Sequence, residues 1–452
     1  MLGEMRVLRY LKEHRLAGGV AVLAATQFAA SVAGLLRDRI LNSIFSNNLA
    51  VVDAYLSAFR PSDLLFQACI MSAMGTVLVP VLAGYHAKDN GKEMGRLLSG
   101  ATGMAALVFG AISLVLAITF PWIAPLLVQF KGETLELYVS FGRLALLVNF
   151  FFVFGNSLGQ YLITVQKYWI YGITPILYTA GTIAGALWLT PIVGPYGPMY
   201  GTIIGVVIYV LYRLYGVLRT GASLKPVLWH PDLPEMAILM LPRVLAFGAF
   251  QLQLLFLDRL ASGFPEGAVT INNNTRNFQS VLVGVVGIAI AQAVYSILSQ
   301  AAAKNNADRF RKYYRQGIFL CLLLTIPGAV VLVALSPVAA YLVHLSDYLQ
   351  VFTIFLAIYA VSIPFESITH LQYRAFYAMK ETLTPAAMGV IGGVAAIGVS
   401  YLLSPRLGVY GIPLGFTVGE IVQATGLAVL LPARMRRYMK PSKNSVTPDL
   451  EP

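Results

Sequence analysis

Charge is what this sequence has least of. Asp, Glu, Lys and Arg make up 12% of its 452 residues, about half the roughly 25% of a soluble domain. That supply cannot wrap a water-facing surface around so long a chain. A soluble protein is excluded, and so is nucleic-acid binding, which would need a basic patch on a soluble domain. Cysteine is nearly absent: Cys69 and Cys321 both fall in apolar runs, without disulfide or metal-ligand spacing. There is no P-loop, H-E-x-x-H or Asp-rich metal motif, so neither ATP hydrolysis, a cofactor nor a metal is expected. The G-x-S-x-G pattern of hydrolases occurs once, as "GNSLG" at 155–159. It sits inside an apolar run rather than at a strand-to-helix elbow, and no enzyme is expected. No outer loop exceeds about 15 residues, which argues against a membrane glycosyltransferase with a large external active site.

What is present is apolar. The hydrophobic fraction is 58% and the mean hydropathy +0.72. Runs of ~20 apolar residues, each able to cross a ~30 Å hydrocarbon core, recur throughout. Backbone groups in lipid must be satisfied within each segment, and barrel-like alternation is missing. The pattern predicts an all-α polytopic membrane protein with about twelve transmembrane helices, at 16–45, 54–86, 97–121, 134–166, 168–190, 196–218, 235–262, 268–301, 311–336, 347–378, 383–403 and 409–431.

Loop cations set the orientation. The N-terminal tail, the even-numbered connections and the C-terminal tail hold 22 Lys and Arg, Arg213 among them, against only Lys131 and Arg406 in the odd-numbered connections. Both termini are therefore expected in the cytoplasm, with the chain in the cytoplasmic (inner) membrane. The basic start resembles a signal peptide, but the apolar run is too long and lacks a clean cleavage site, so an uncleaved first helix is expected. The net charge of +12 follows from this bias and the negative inner leaflet.

The chain also repeats itself. "VPVLAGYHAKDN" (79–90) matches "YSILSQAAAKNN" (295–306) at an offset of 216, and "GPYGPMYGTIIG" (194–205) matches "GVYGIPLGFTVG" (408–419) at 214. "RDRILNSIF" is echoed by "LDRLASGF", pairing Asp38-Arg39 with Asp258-Arg259. Each copy holds six helices, an even number, so both share one orientation about a pseudo-two-fold axis along the membrane normal. The expected organisation is an N-terminal lobe at 1–222, a C-terminal lobe at 223–436 and a cytoplasmic tail at 437–452. Gly181-xxx-Gly185, Gly201-xxx-Gly205 and Gly415-xxx-Gly419 predict close helix packing.

Eight arginines fall inside apolar segments: 37, 39, 60, 143, 243, 259, 276 and 374. A charge at bilayer depth costs at least ~2.5–3.5 kcal/mol and usually faces a cavity or a partner. Arg143 and Arg243 can snorkel to the cytoplasmic interface, and Arg37 and Arg39 can reach the outer one. Snorkelling needs no counter-charge, however, and Arg37, Arg39 and Arg60 are accompanied by Asp38, Asp53 and Asp63. Helix 8 opens with "TINNNTRNFQS", surrounding Arg276 with Asn272, Asn273, Asn274, Asn277 and Gln279. Helix 10 carries Ser362, Glu366, His370 and Arg374 at spacing four, on one face; these form either an internally paired ladder or a cavity wall. Helix 4 adds Asn149, Asn156 and Gln160. An arginine fork binds phosphate bidentately and stays charged when buried, so a cleft with several arginines asks for an anion such as a diphosphate. In that reading Arg37 and Arg276 grip it, with Asp38 and Asp53 offsetting the cations when the site is empty.

"GLLRDRILNSIF" (34–45), "VDAYLSAFRPSDLL" (52–65), "VPVLAGY" (79–85), "LASGFPEGAVTINNNTRNFQ" (260–279) and "RAFYAMKETLTP" (374–385) resemble segments of the MurJ/MviN family of the MOP exporter superfamily. The resemblance covers nearly the whole chain. It implies a MOP-type fold and flipping of an undecaprenyl-diphosphate-linked glycan, lipid II, between membrane leaflets by a monomer in contact with membrane lipids. It also implies that Arg37, Asp53 and Arg276 line the central cavity or are required for flipping. The chain departs from the family pattern in several places. Two family arginines fall at Ser31 and at Phe66–Gln67, an Asp falls at Thr275, and the helix-7 acid associated with sodium in some members falls at Leu257, one residue before Asp258. Helix 11 lacks polar partners, so transport without sodium is expected. The two further C-terminal helices of most members do not follow helix 12 here. The alternatives are an exporter of another polyprenyl-linked oligosaccharide and a small-molecule MATE-like exporter.

Overall fold

The computed structural model describes residues 2–71, 77–222, 224–225 and 227–439, with side chains from residue 22 onward apart from 69, 239–247 and 249. Among these residues there is no strand. The helices are α1 (Leu2–Ile44), α2 (Leu49–Phe66), α3 (Val79–Ala87), α4 (Gly91–Leu127), α5 (Gly132–Thr164), α6 (Tyr168–Ala184), α7 (Thr190–Val193) and α8 (Gly197–Leu218) in the first repeat. The second holds α9 (Leu233–Ala261), α10 (Ala268–Leu282), α11 (Ala289–Ala303), α12 (Ala307–Ala334), α13 (Ser336–Leu342), α14 (Leu349–Ala378), α15 (Leu383–Leu407) and α16 (Gly411–Tyr438). They group into the expected crossings, with most ends within a few residues. The exception is α1, which runs back to Leu2 and takes the basic tail into the helix.

Among the described residues, seven helical stretches are long and apolar enough to span a membrane. Two of them, 51 and 56 residues long, would each exceed twice the bilayer thickness at ~1.5 Å per residue. Each is two crossings folded back at a glycine: Gly194 at φ 62°, ψ −138° and Gly408 at φ 60°, ψ −140°. An L side chain would be strained there.

The repeat extends to backbone conformation. Left-handed residues occur at Asp89 and Asn305, Gly132 and His344, Gln166 and Lys380, and Gly194 and Gly408, each pair at matching turns of the two copies. Asn90 and Asn306 cap the following helices alike, accepting from Glu93 N (3.2 Å) and Arg309 N (2.9 Å). A widened π turn follows α2 at Gln67–Met71, and another follows α10 at Val283–Ile288. The glycine pairs pack as expected. A Cβ on Gly205 would lie 2.5 Å from the Tyr178 carbonyl, one on Gly185 2.5 Å from Gly201 Cα, and one on Gly415 2.5 Å from the Ala396 carbonyl. With no hydrophobic force between helices in lipid, such close approach supplies the contact.

By contacts the chain divides into two compact units. The first runs to Thr270 and includes Tyr341–Leu345; the second holds Ile271–Ala340 and the chain from Ser346 onward. This boundary differs from the repeat boundary, because α9 packs with the first unit against α2 and its π turn. In the first unit large apolar residues fill the core, with Phe120, Tyr138 and Phe141 at one end and Phe66, Phe109 and Leu162 at the other. In the second, Phe310, Leu371 and Phe376 do the same. Large apolar side chains such as Leu114, Trp122, Leu126, Phe319 and Val330 are more than half exposed, a surface that only lipid covers at low cost.

Candidate functional site

In the first unit, every membrane-depth charge with a described side chain has a specific partner. Arg37 reaches forward one residue, and its Nε and Nη2 both donate to Asp38 Oδ1 at 2.9 and 2.6 Å. Tyr55 and Tyr178 lie beside it. Arg60 Nε meets Asp258 Oδ2 of α9 at 2.5 Å, with the two side chains 18% and 5% exposed. Asp63 Oδ1 accepts from Asn149 Nδ2 at 2.9 Å, and the same amide reaches Ser62 Oγ at 2.7 Å.

The pairing differs from the expected one. Asp53 does not face an arginine. Its carboxylate accepts from Gly267 N (2.7 Å), Thr270 N (2.8 Å) and Thr270 Oγ1 (2.6 Å), closing the first turn of α10, where backbone N–H groups lack helical acceptors. Arg39 is engaged by backbone too: Nη1 donates to Tyr341 O at 2.5 Å, and the guanidinium lies 5.0 Å from the Tyr341 ring centre. Asp258, one position past the sodium-associated site, is taken up by Arg60.

One further arginine gains a partner and another corrects the sequence reading. The exposed Arg143 donates through Nε to Ala117 O at 2.9 Å, the carbonyl deprived of its helical donor by Pro121. Arg213, counted among the loop cations, is only 2% exposed inside α8. It lies between the Tyr171 and Tyr209 rings at 4.7 and 4.2 Å. It donates to Gly155 O (2.7 Å), Thr174 Oγ1 (2.9 Å) and Tyr171 O (3.2 Å), the last freed by Pro175. Arg243 lies outside the described side chains.

The second unit uses a different chemistry. Asn273, Arg276 and Asn277 share a half-buried face of α10, while Asn272, Asn274 and Gln279 are buried. Arg276 sits 5.0 Å over the Phe416 ring of α16. Asn277 Nδ2 donates to Asn273 Oδ1 at 3.2 Å, and Tyr359 donates to Asn272 Oδ1 at 2.6 Å. Gln279 Nε2 donates to Glu366 at 2.5 Å and Ser362 at 3.2 Å. Arg374 stacks 5.4 Å over Tyr295 of α11, and His370 meets Tyr373 edge-on. The α14 stripe therefore reaches outward to α10 and α11 rather than pairing along itself.

Glu420 was not singled out from the sequence. It is buried on α16, within electrostatic range of both Glu366 and Arg276, and three residues on, Gln423 bonds Tyr373. A lone acid in the apolar run 409–431 was the available signal. Ser157 of "GNSLG" lies mid-helix in α5, donating to Val153 O at 2.9 Å.

Arginines, amides and aromatic rings are thus set among the apolar helices of both units. A probable lipid II flippase MurJ of Bdellovibrio bacteriovorus is 23% identical over 446 residues, covering 94% of this chain and 83% of that protein. One of Vibrio cholerae is 24% identical, covering 90% and 81%. Among solved structures, a lipid II flippase MurJ in an inward closed conformation matches with a TM-score of 0.77 at 18% identity, over 93% of this chain and 90% of that one. An inward-facing multidrug resistance MATE family transporter of the MOP superfamily matches at 0.78 and 18%, over 94% and 99%. These likenesses show the fold, a polytopic all-α one shared with those two solved structures. The profile of the family described as lipid II flippase MurJ spans residues 41–446, and the chain belongs to that family.

Proposed function

We propose that this chain moves lipid II, an undecaprenyl-diphosphate-linked sugar, from the inner to the outer leaflet by alternating access, for cell wall synthesis. Family membership supports a transporter in a multi-pass bacterial membrane setting. The observation that carries the substrate reading is the state of Arg37. It meets Asp38 through one edge of its guanidinium, both donors converging on a single oxygen, with a quarter of the side chain exposed. A diphosphate offers the fork-to-oxygen geometry that this edge-on contact does not exhaust. Arg276, held over a ring and among amides, is the second anion-binding arginine in this reading. Asn273, Asn277, Glu366, His370 and Arg374 form a wet polar wall, and Arg39 and Asp53 act on backbone rather than on substrate.

The test is flipping in vesicles with defined lipid-linked substrates. Arg37→Ala and Arg276→Ala should abolish it without loss of protein from the membrane, and Arg→Lys should be partly tolerated. If both alanine variants express and still complement loss of a host flippase, the arginine reading fails. The match to a MATE transporter over 99% of its length keeps small-molecule export as the second reading, and uptake of cationic dyes with no flipping would favour it. The chain is taken to act as a monomer without cofactor or catalytic step. Both termini are placed in the cytoplasm: alkaline phosphatase fused after Glu266 should be active and after Asn306 inactive.

A further inference from the structure

The two Asp-Arg copies of the repeat make the same contact in opposite directions. Arg39, near the end of α1 in the first copy, donates through Nη1 to Tyr341 O (2.5 Å) and Leu342 O (3.3 Å), where α13 of the second copy ends. Arg259, its equivalent at the end of α9 in the second copy, donates through Nε to Leu126 O at 2.7 Å, where α4 of the first copy ends. Leu126 and Leu342 are themselves equivalent at the offset of 216 that relates Pro121 to Pro337. Three residues beyond each arginine, a second polar side chain repeats the pattern. Asn42 Nδ2 donates to Val343 O at 2.7 Å, and Ser262 Oγ accepts from Gln129 N at 2.8 Å. Gln129 Nε2 adds a bond to Arg259 O at 3.2 Å.

Helix C-termini present unpaired carbonyls and a partial negative charge, so each arginine meets an acceptor set that favours a cation. All four segments, at the ends of α1, α4, α9 and α13, follow odd-numbered crossings and so lie on the membrane side opposite the basic loops. All lie within the first compact unit. Each arginine is also preceded by an aspartate with its own partner, Asp38 on Arg37 and Asp258 on Arg60, which holds the two short segments in register.

We propose that Arg39 with Asn42, and Arg259 with Ser262, form a reciprocal two-point latch that closes this side of the transporter and must release for substrate to leave. This rests on the transport reading. Neither arginine touches substrate; both set the balance between closed and open states. Because the two points join the same pair of repeats, releasing one weakens the other, whereas side chains that only stiffen their own helix ends would act locally.

The test reads distances and needs no substrate, so its outcome is separate from that of any flipping assay. In a background with Cys69→Ala and Cys321→Ala, spin labels are placed at Asn47 and Leu342 across one point and at Lys131 and Glu266 across the other. Pulsed electron resonance then gives the distance distribution of each pair. Arg39→Ala should raise the long-distance fraction about tenfold at both pairs, the scale of one charge-assisted hydrogen bond, with Arg39→Lys recovering part of it. Ser262→Ala, mild enough to fold in any case, should move both pairs the same way by less. Lengthening confined to the mutated point, or none at either, would overturn the latch.

Discussion

The polar side chains of the two compact units hold their membrane-depth charges differently. In the first unit, charge meets charge or a carbonyl: Arg37 on Asp38, Arg60 on Asp258, Asp53 on the first turn of α10. In the second, Arg276 and Arg374 lie over aromatic rings, and amides link α10 to α14. Caps, turns and glycine pairs recur along the chain, and so do the Asp-Arg pairs at the ends of α1 and α9, whereas the partners of the other membrane-depth cations differ. Arg39 and Arg213 of the first unit also rest on rings, but among the described residues only there do arginines meet buried aspartates. Losing a cation from an ion pair strands a buried charge, while losing one from a ring does not, so the two regions should respond differently.

The largest effect is expected where the two regions are alike. Gly201→Val forces a side chain into the α6–α8 seam, where a Cβ would lie 2.5 Å from Gly185 Cα. Such overpacking costs ~3 kcal/mol or more when backbone is the neighbour. Folded protein should be lost in fluorescence-detected size exclusion, and Gly415→Val in the second copy should behave the same way. Survival of either would mean that the seam is not the shared frame.

The regions should part at their charges. Arg60→Ala strands the buried Asp258 carboxylate and is expected to cost about 3 kcal/mol, while Arg60→Met with Asp258→Leu recovers most of it. Thermal melting of purified protein measures both. Arg374→Ala in the second unit gives up only an exchange of ring for water, about 1 kcal/mol or less. Equal losses at the two sites would erase the distinction.

The smallest effect concerns a carbonyl. Arg143→Leu leaves Ala117 O without its donor, about 1 kcal/mol at this exposed position. Restoring the helical N–H with Pro121→Ala in the same chain should cancel that loss.

Helix positions were legible because lipid enforces them, with ~20 apolar residues per crossing and glycine at the tightest turns. The glycine seams were legible for the same reason. Partners were not, because an arginine's reach covers several turns on several helices, and spacing cannot say which acceptor it finds. Asp53 looked like a counter-charge because it shares a helix with Arg60, yet its oxygens go to a segment more than 200 residues away. Glu420 went unnoticed as a single acid without a neighbouring motif. Arg213 was read as a loop cation because it stands less than two turns from the basic stretch that follows α8.

Arg213 also bears on how the chain is made. Every acceptor it uses, Gly155, Tyr171 and Thr174, precedes it along the polypeptide. When the ribosome delivers the sixth crossing to the translocon, the fourth and fifth have already left it with those oxygens exposed. The cation thus enters the bilayer onto a prepared seat, and assembly of the first six crossings can finish before the seventh is synthesised.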